Sequence, residues 1–410
     1  MLTFFYLVFC STLHLGSSRN KTYEGYKMFR LMPSSDQVPK VRMLQNMEGI
    51  DTWSQYHSDY VDVMVSPDQY EKFQAFVSSG KIDSKLQIQD VQKLLEKEQR
   101  EQRKMARRYR SGISFAYFHR FAKINSYLDD MARKYKEIAK TEVIGRSTEG
   151  RVMKIIKISE DLTCNSPVIL IDGGIHAREW ISPAMVLYVI NQLIENSSNS
   201  DLLSSLEWHL LPVVNPDGYE YSHTHDRMWR KTRSRVSNAC YGVDGNRNFD
   251  FHWNEIGTGP NPCGDTYAGP KPFSEPETRA LRDYALRLKG RIKLYISFHS
   301  YGNFILHPWG YTKRPADDAK EMTALGLAVN NAHVKAGGES YTVGSAAGVL
   351  YAAAGASDDW MKAKAGVQFS YTVELTNTAT GFVLPTKLIK PTVTNFFEAV
   401  REFANKIRNM

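Results

Sequence analysis

Cysteine is scarce, with four residues in a chain of 410, which is too few to build a disulfide scaffold. No internal apolar run approaches the ~18 residues needed to cross a bilayer, so a polytopic membrane protein is excluded. Internal repeats and low-complexity tracts are also missing. Neither sign of charge dominates: 52 Lys+Arg against 44 Asp+Glu leaves a formal charge of +8, which does not by itself identify an acidic partner. What is present is 42% hydrophobic and 23% charged residues, the composition of a chain that buries a large core. The length predicts two or three folding units.

The N-terminus reads as a signal peptide over residues 1–18. An apolar stretch from Leu2 to Phe9 runs into Gly16, Ser17 and Ser18, the pattern of a segment removed on export. The expected location is extracellular, with the chain secreted. Cys10 would leave with the signal, so Cys164, Cys240 and Cys263 remain. That odd number requires an unpaired thiol or an intermolecular bond. Asn20-Lys21-Thr22 and Asn196-Ser197-Ser198 are glycosylation acceptor triplets.

Residues 19–98 read as a compact α+β unit with no catalytic cluster. KMFRLMP (27–33) and YVDVMVS (60–66) have strand patterning, while VPKVRMLQNM (38–47) and PDQYEKFQAFVSSG (67–80) have helix patterning. A long polar helix follows from about Ile88 and ends in Arg100, Arg103, Lys104, Arg107, Arg108 and Arg110. Residues 99–110 are expected to be a solvated, protease-sensitive connection. A trypsin-like activator would cut at or just after Arg108 or Arg110.

Residues 111–410 read as one large α/β unit. PVILIDGG (167–174), EWHLLPVVN (207–215), RIKLYISFH (291–299) and VQFSYTVEL (367–375) are continuous apolar runs, which marks strands buried on both faces. Helices are expected at 180–194, 275–289, 317–336 and 391–408, with a capping box in Ser274 and Glu277. The fold class is therefore α/β, a mixed and mostly parallel twisted sheet with helices on both faces.

In such sheets functional groups gather beyond the carboxyl ends of strands. His176 and Glu179 stand three apart after one strand, and His299 ends another. Two imidazoles and a carboxylate make a zinc set that leaves a fourth position open. The same residues also read as a hydrogen-bonded loop histidine and a helix N-terminal acid. His209 reads as a satisfied core histidine, His223 and His225 as surface residues of a polar loop, and Asn215 and Asp217 as turn formers.

Six motifs occur in one order. They are His176-Ala177-Arg178-Glu179-Trp180, Asn215-Pro216-Asp217-Gly218-Tyr219, Trp229-Arg230-Lys231-Thr232-Arg233, Asp244-Gly245-Asn246-Arg247-Asn248, Ser297-Phe298-His299-Ser300-Tyr301 and Ser357-Asp358-Asp359-Trp360. Together they strongly resemble the secreted zinc metallocarboxypeptidases of the pancreatic A/B type, over essentially the whole chain. The resemblance implies the carboxypeptidase fold preceded by an open-sandwich pro-domain, and a zymogen activated by proteolysis. It implies one Zn²⁺ held by His176, Glu179 and His299, with Glu374 and Arg230 as catalytic groups. It also implies that Asn246, Arg247 and Tyr351 clamp the substrate's terminal carboxylate, that Arg178 and Tyr301 form outer subsites, and that Cys240 pairs with Cys263. The implied partners are peptides or proteins with a free C-terminus and the activating protease. Nucleic acid, membrane and a second subunit are not expected.

Elementary chemistry supports those roles. Zn²⁺ lowers the pKa of its water to ~7, and a carboxylate such as Glu374 can take that proton and pass it to the leaving amine. An oxyanion donor such as Arg230 is typically worth ~10²–10³ in rate. A planar guanidinium such as Arg247 pairs with a carboxylate through two parallel hydrogen bonds. Asp358 occupies the position that lies deep in the family's side-chain pocket. An acid there selects C-terminal Lys or Arg, because a buried carboxylate without a cation is costly. The alternatives are A-type specificity for aromatic or aliphatic ends, or a non-catalytic secreted homologue that binds peptide termini. Two departures stand out from the family pattern: Thr376-Asn377 where the digestive members have Arg-Asp, and the small-residue stretch from Gly344 to Gly348.

Overall fold

The structure is a computed structural model that describes residues 20–54, 60–110, 112–163 and 166–410. The expected signal peptide, with Cys10, and Cys164 lie outside the described residues.

The first unit runs β1 (Lys27–Met32), α1 (Val38–Arg42), β2 (Ile50–Thr52), β3 (Val61–Val65), α2 (Tyr70–Ser79) and β4 (Asp83–Ile88). Its antiparallel sheet has the order β2-β3-β1-β4. Period-2 alternation sends Phe29, Leu31, Val61, Val63 and Val65 into a core with Phe73 and Val77 of α2. The opposite face carries Met28, Met64 and Ile88 toward the second unit. Sequence patterning missed β2, which is three residues long, and β4, a largely exposed edge strand without apolar alternation. Helix α3 (Val91–Arg108) is capped by Asp90, whose side chain accepts from the Lys93 amide at 3.0 Å.

The second unit begins with α4 (Phe121–Lys134), β5 (Ala139–Arg146), β6 (Val152–Ile158) and β7 (Val168–Gly173). It continues through α5 (Ile181–Glu195), β8 (Glu207–Leu211), α6 (Pro216–Thr224), α7 (Pro276–Arg287), β9 (Ile292–Ser300) and β10 (Phe304–His307). It closes with α8 (Ala319–Lys335), β11 (Thr342–Ser345), α9 (Ala346–Val349), α10 (Ser357–Ala363), β12 (Phe369–Leu375) and α11 (Thr386–Arg408). The eight-stranded sheet has the order β11-β10-β12-β9-β7-β8-β6-β5, and its four middle strands are mutually parallel. Alternation again divides the core. Ile169 and Ile171 face α5 and α11 on one side, and Val168 and Leu170 face α7 and α10 on the other.

From β7 the chain passes to β8 on one side and then to β9 on the other. The order therefore reverses between β7 and β9. A crevice opens beyond their carboxyl ends, where open α/β sheets bind ligands.

Three local expectations change. Glu275 occupies the N-cap of α7 without a side-chain cap bond, and Glu277 instead accepts from the Thr148 amide at 3.0 Å, so no capping box forms. Helix α11 starts at Thr386, upstream of the expected 391; Pro391 lies inside it, and buried Ile389 anchors the added turn. Asn215 caps α6 by accepting from the Gly218 amide at 2.9 Å, so it starts a helix rather than a simple turn.

Ile171 is fully buried in the central strand. Ile171→Ala is expected to cost ~2–5 kcal/mol through lost burial and the cavity left behind. Exposed Val143→Ala should stay within ~0.5 kcal/mol. Denaturant midpoints of the two variants check this.

Candidate metal centre and active site

Strand β7 ends in Gly173, and the turn after it delivers His176 and Glu179 just ahead of α5. Strand β9 delivers His299 beside them, and the parallel register of β12 sets Glu374 directly opposite His299. The three expected ligands are 1–3% exposed, and one potential ligand atom from each lies within 4.8 Å of the others. His176 Nδ1 is 3.1 Å from His299 Nδ1 and 2.8 Å from Glu179 Oε1. His299 Nδ1 is 3.2 Å from Glu179 Oε2.

The outward-facing nitrogens explain why the inward ones are free to bind a cation. His176 Nε2 is 3.0 Å from Asp244 Oδ1. A carboxylate only accepts, so with a cation between Nδ1 and Glu179 the proton would stay on Nε2 toward Asp244 and Nδ1 would turn its lone pair inward. His299 Nε2 lies 3.2 Å from Ser297 Oγ, whose own proton goes to Asp172 Oδ1 at 2.7 Å. The relay sets the same tautomer in His299. Burial disfavours charge on His299, yet facing Glu179 pushes its pKa up to about 9. Burial would likewise raise Glu179, but the two imidazoles hold it well below the usual carboxylate range. Donor set, tautomers and field all fit one zinc ion at this point.

Asp244 does more than orient a histidine. Its Oδ2 accepts from Arg230 Nε and Nη2 at 3.2 and 3.0 Å, and its Oδ1 accepts from the Asn246 amide at 3.0 Å. Burial opposes its charge, but Arg230 and His176 hold it ionised, well below the ordinary aspartate value. Arg230 Nη1 reaches to 3.7 Å from Glu179 Oε1. The Asp244-capped turn presents Asn246 and Arg247. Asn246 Oδ1 accepts from the Ser357 amide at 2.9 Å, which leaves its nitrogen as the remaining donor. Arg247 donates to Gly257 O and Asn246 O, and its Nη2 donates to the Tyr351 hydroxyl at 3.1 Å. Burial is the main reason Glu374 is pushed up to about 8; Glu179 adds to it, and His299, Arg230 and Arg247 oppose it.

Asp358 is 2% exposed at the first turn of α10. Burial raises its pKa, against the backbone donors of the helix start, His299 and Thr372. Asp359 turns elsewhere, accepting from the Gly310 and Tyr311 amides at 2.8–3.0 Å. Ser357 does not cap the helix; Ala356 holds that position.

The first unit lies over this crevice. Asp51 Oδ2 accepts from Arg178 Nη1 at 2.8 Å, and Asp62 Oδ2 accepts from the Tyr301 hydroxyl at 2.9 Å. Trp53 packs on Phe382, and Tyr351 packs against the first unit's core. Glu98 of α3 takes two hydrogen bonds from Arg227 at 2.7 and 3.0 Å. Asn377, one of the two departures from the family pattern, donates to the Tyr60 hydroxyl at 2.6 Å.

His176, Glu179, His299, Glu374, Arg230, Asn246 and Arg247 are brought together at the crevice, and Tyr351, Arg178 and Tyr301 meet the covering unit. Cys240 and Cys263 are disulfide-bonded. His209 is a core histidine satisfied by Glu207 at 2.7 Å and Tyr284 at 2.8 Å. His223 differs from expectation: it sits on helix α6 and stacks on Trp180 with ring centroids 3.8 Å apart. Asp172 and Asp244 were not singled out from sequence. Asp172 left one signal, a lone carboxylate in an otherwise apolar strand, where burial demands donors; Tyr295 and Ser297 supply them at 2.6 and 2.7 Å.

Replacing either outer carboxylate, by Asp172→Asn or Asp244→Asn, is expected to weaken zinc binding by ~10–100-fold. Competition with a chromophoric chelator measures this.

Comparison with known proteins follows the same lines. Residues 124–399 match the zinc carboxypeptidase family, and residues 29–98 match the carboxypeptidase activation peptide. The chain is 44% identical to carboxypeptidase B from Astacus astacus, over 72% of this chain and 99% of that one. It is 37% identical to carboxypeptidase B from Helicoverpa zea, over 96% of each. The crystal structure of carboxypeptidase A from Helicoverpa armigera superposes with a TM-score of 0.89 at 30% identity, over 94% of this chain and 98% of that one. With its ligand set, crevice and covering unit in place, the chain belongs to the zinc carboxypeptidase family, as a zymogen that carries an activation peptide.

Proposed function

We propose that the mature enzyme removes C-terminal Lys or Arg from peptides, and that the zymogen is exported and released by cleavage at or just after Arg108 or Arg110. We place the boundaries at residues 19–98 for the activation domain, 99–110 for the connection and 111–410 for the catalytic domain. No helix among the described residues is long and apolar enough to cross a membrane.

The observation that carries the specificity is Asp358. Its carboxyl is buried, raised by that burial, and has no cationic ion-pair partner among the described residues. A substrate guanidinium or ammonium would supply the missing charge, whereas an apolar end would leave the carboxyl desolvated and unpaired.

His176, Glu179 and His299 would hold zinc, which when bound supplies Lewis-acid polarisation of the scissile carbonyl and of a water. The remaining steps belong to the chain's own groups. Glu374, whose carboxyl burial pushes up to about 8, takes the proton of the attacking water and returns it to the departing amine. Arg230, held in place by Asp244, meets the developing oxyanion. Arg247 and Asn246 bind the terminal carboxylate, with Tyr351 closing over it, and so set the register at one residue from the end. While the activation domain is docked, Asp51 occupies Arg178 and Asp62 occupies Tyr301, so the outer subsites are unavailable to a peptide.

Trypsin-treated protein should release Arg from a hippuryl-Arg-type substrate and lose that activity in chelator; turnover that persists in chelator refutes the metal mechanism. Asp358→Ala should lower kcat/KM for basic ends by ~10²-fold or more and improve it for apolar ends. Unchanged preference, or preference of the native enzyme for aromatic ends, sinks the pocket assignment in favour of A-type specificity.

A further inference from the structure

The basic run was expected both to end the long polar helix and to form a cleavable connection, and the structure places most of it on the helix. Helix α3 continues to Arg108, so Arg100, Arg103, Lys104, Arg107 and Arg108 all lie on helix. Proteases favour exposed chain that is not held in regular structure, so a cut at the end of α3 uses one or two of these cations. The others need a different account.

The helix is two-faced. Val91 and Glu98 are buried and Glu101 is half-buried toward the catalytic unit, where Glu98 meets Arg227 and Glu101 accepts from Thr386. Lys97, Arg100, Arg103, Lys104, Arg107 and Arg108 point outward and are exposed. Their three- and four-residue spacing makes one stripe about 17 Å long. Arg100 has a loose contact with Glu96 at 3.8 Å, and the other five have no carboxylate partner among the described residues.

Arg103 also borders a cavity of about 600 Å³ in the seam between α3 and the catalytic unit, beside Lys123 and Arg120. Two buried nitrogens of its lining residues, Gln102 Nε2 and His223 Nε2, have no partner. The stripe offers cations and the cavity adds unused nitrogens; the two carboxylates of its lining, Glu98 and Glu96, are already engaged by Arg227 and Arg100.

We propose that this surface binds a linear sulfated polysaccharide along α3, with one sulfate entering the seam, and that the occupant shields the connection from cleavage. The stripe suits a regularly charged polymer because its cations repeat at every turn. Aromatic rings lie only at the ends of the surface, with Tyr109 beside Arg108 and Tyr117 in the seam, so the stripe between them has no ring on which successive bases would stack. The shielding part rests on the proposed cleavage site; the binding part does not.

Heparin titrated into the intact zymogen by calorimetry tests both. Binding should weaken as salt rises from 50 to 200 mM, and desulfated heparin should not bind. Arg100→Gln, Arg103→Gln, Lys104→Gln and Arg107→Gln combined should weaken it on the order of 10²-fold. The variant with Lys at the three arginines should retain it. Saturating heparin should slow trypsin activation severalfold without slowing trypsin on a small substrate. Equal binding by the quadruple Gln variant or by the mature enzyme overturns the site, and tighter binding of oligo-dT reassigns it to nucleic acid. Unchanged activation with bound heparin overturns the shielding. N-terminal sequencing that finds the cut outside residues 108–112 refutes the cleavage reading alone.

Discussion

The active site depends on one fully buried carboxylate. Asp244 accepts from a metal-binding histidine, from the arginine beside the ligand set, and from the amide that starts the turn carrying Asn246 and Arg247. An isolated charge in such a place would cost several kcal/mol in desolvation. Arg230 and the imidazole N–H offset that cost, and each is oriented in return. The ligand set, Arg230 and the turn carrying Asn246 and Arg247 therefore share a rigid reference point. That sharing keeps three functional groups from separate loops in register with one another.

The sheet supplies the second constraint. Its order reverses between β7 and β9, so the turn after one strand and the end of the other meet over an open crevice. Parallel register then sets Glu374 opposite His299. The same strands place Asp172 and Ser297 behind His299, where they fix its tautomer. Each reacting group thus stands on a strand end or an adjoining turn and has a buried polar partner behind it.

The activation domain docks through polar groups at the rim of the crevice. Arg178 is ion-paired with Asp51, and Tyr301 donates to Asp62. Asp358 and Arg247 are not ion-paired by the covering unit among the described residues. The cover's polar contacts therefore gather at Arg178 and Tyr301 rather than at Asp358 and Arg247.

Much of this was legible from residue order alone. Continuous apolar runs identified the four central strands because burial on both faces leaves no polar alternation. The ligand triad was legible from residue types at strand ends. Edge strand β4 was not, because its exposed polar side chains carry no pattern. The capping box at Ser274 failed because Glu277 found a partner 129 residues away in Thr148, which no local pattern reports. The basic run was legible as the end of a long polar helix, but which side of that helix packs on the catalytic unit was not. The sequence by itself determined the central strands, most of the helices and the residue types of the ligand set. Only the tertiary structure decided that Asp244 links three sites, that Asp172 stands behind His299, and that the cations of α3 form one exposed stripe. Those relations join residues distant in sequence, through burial and hydrogen bonds that exist only once the layers have packed.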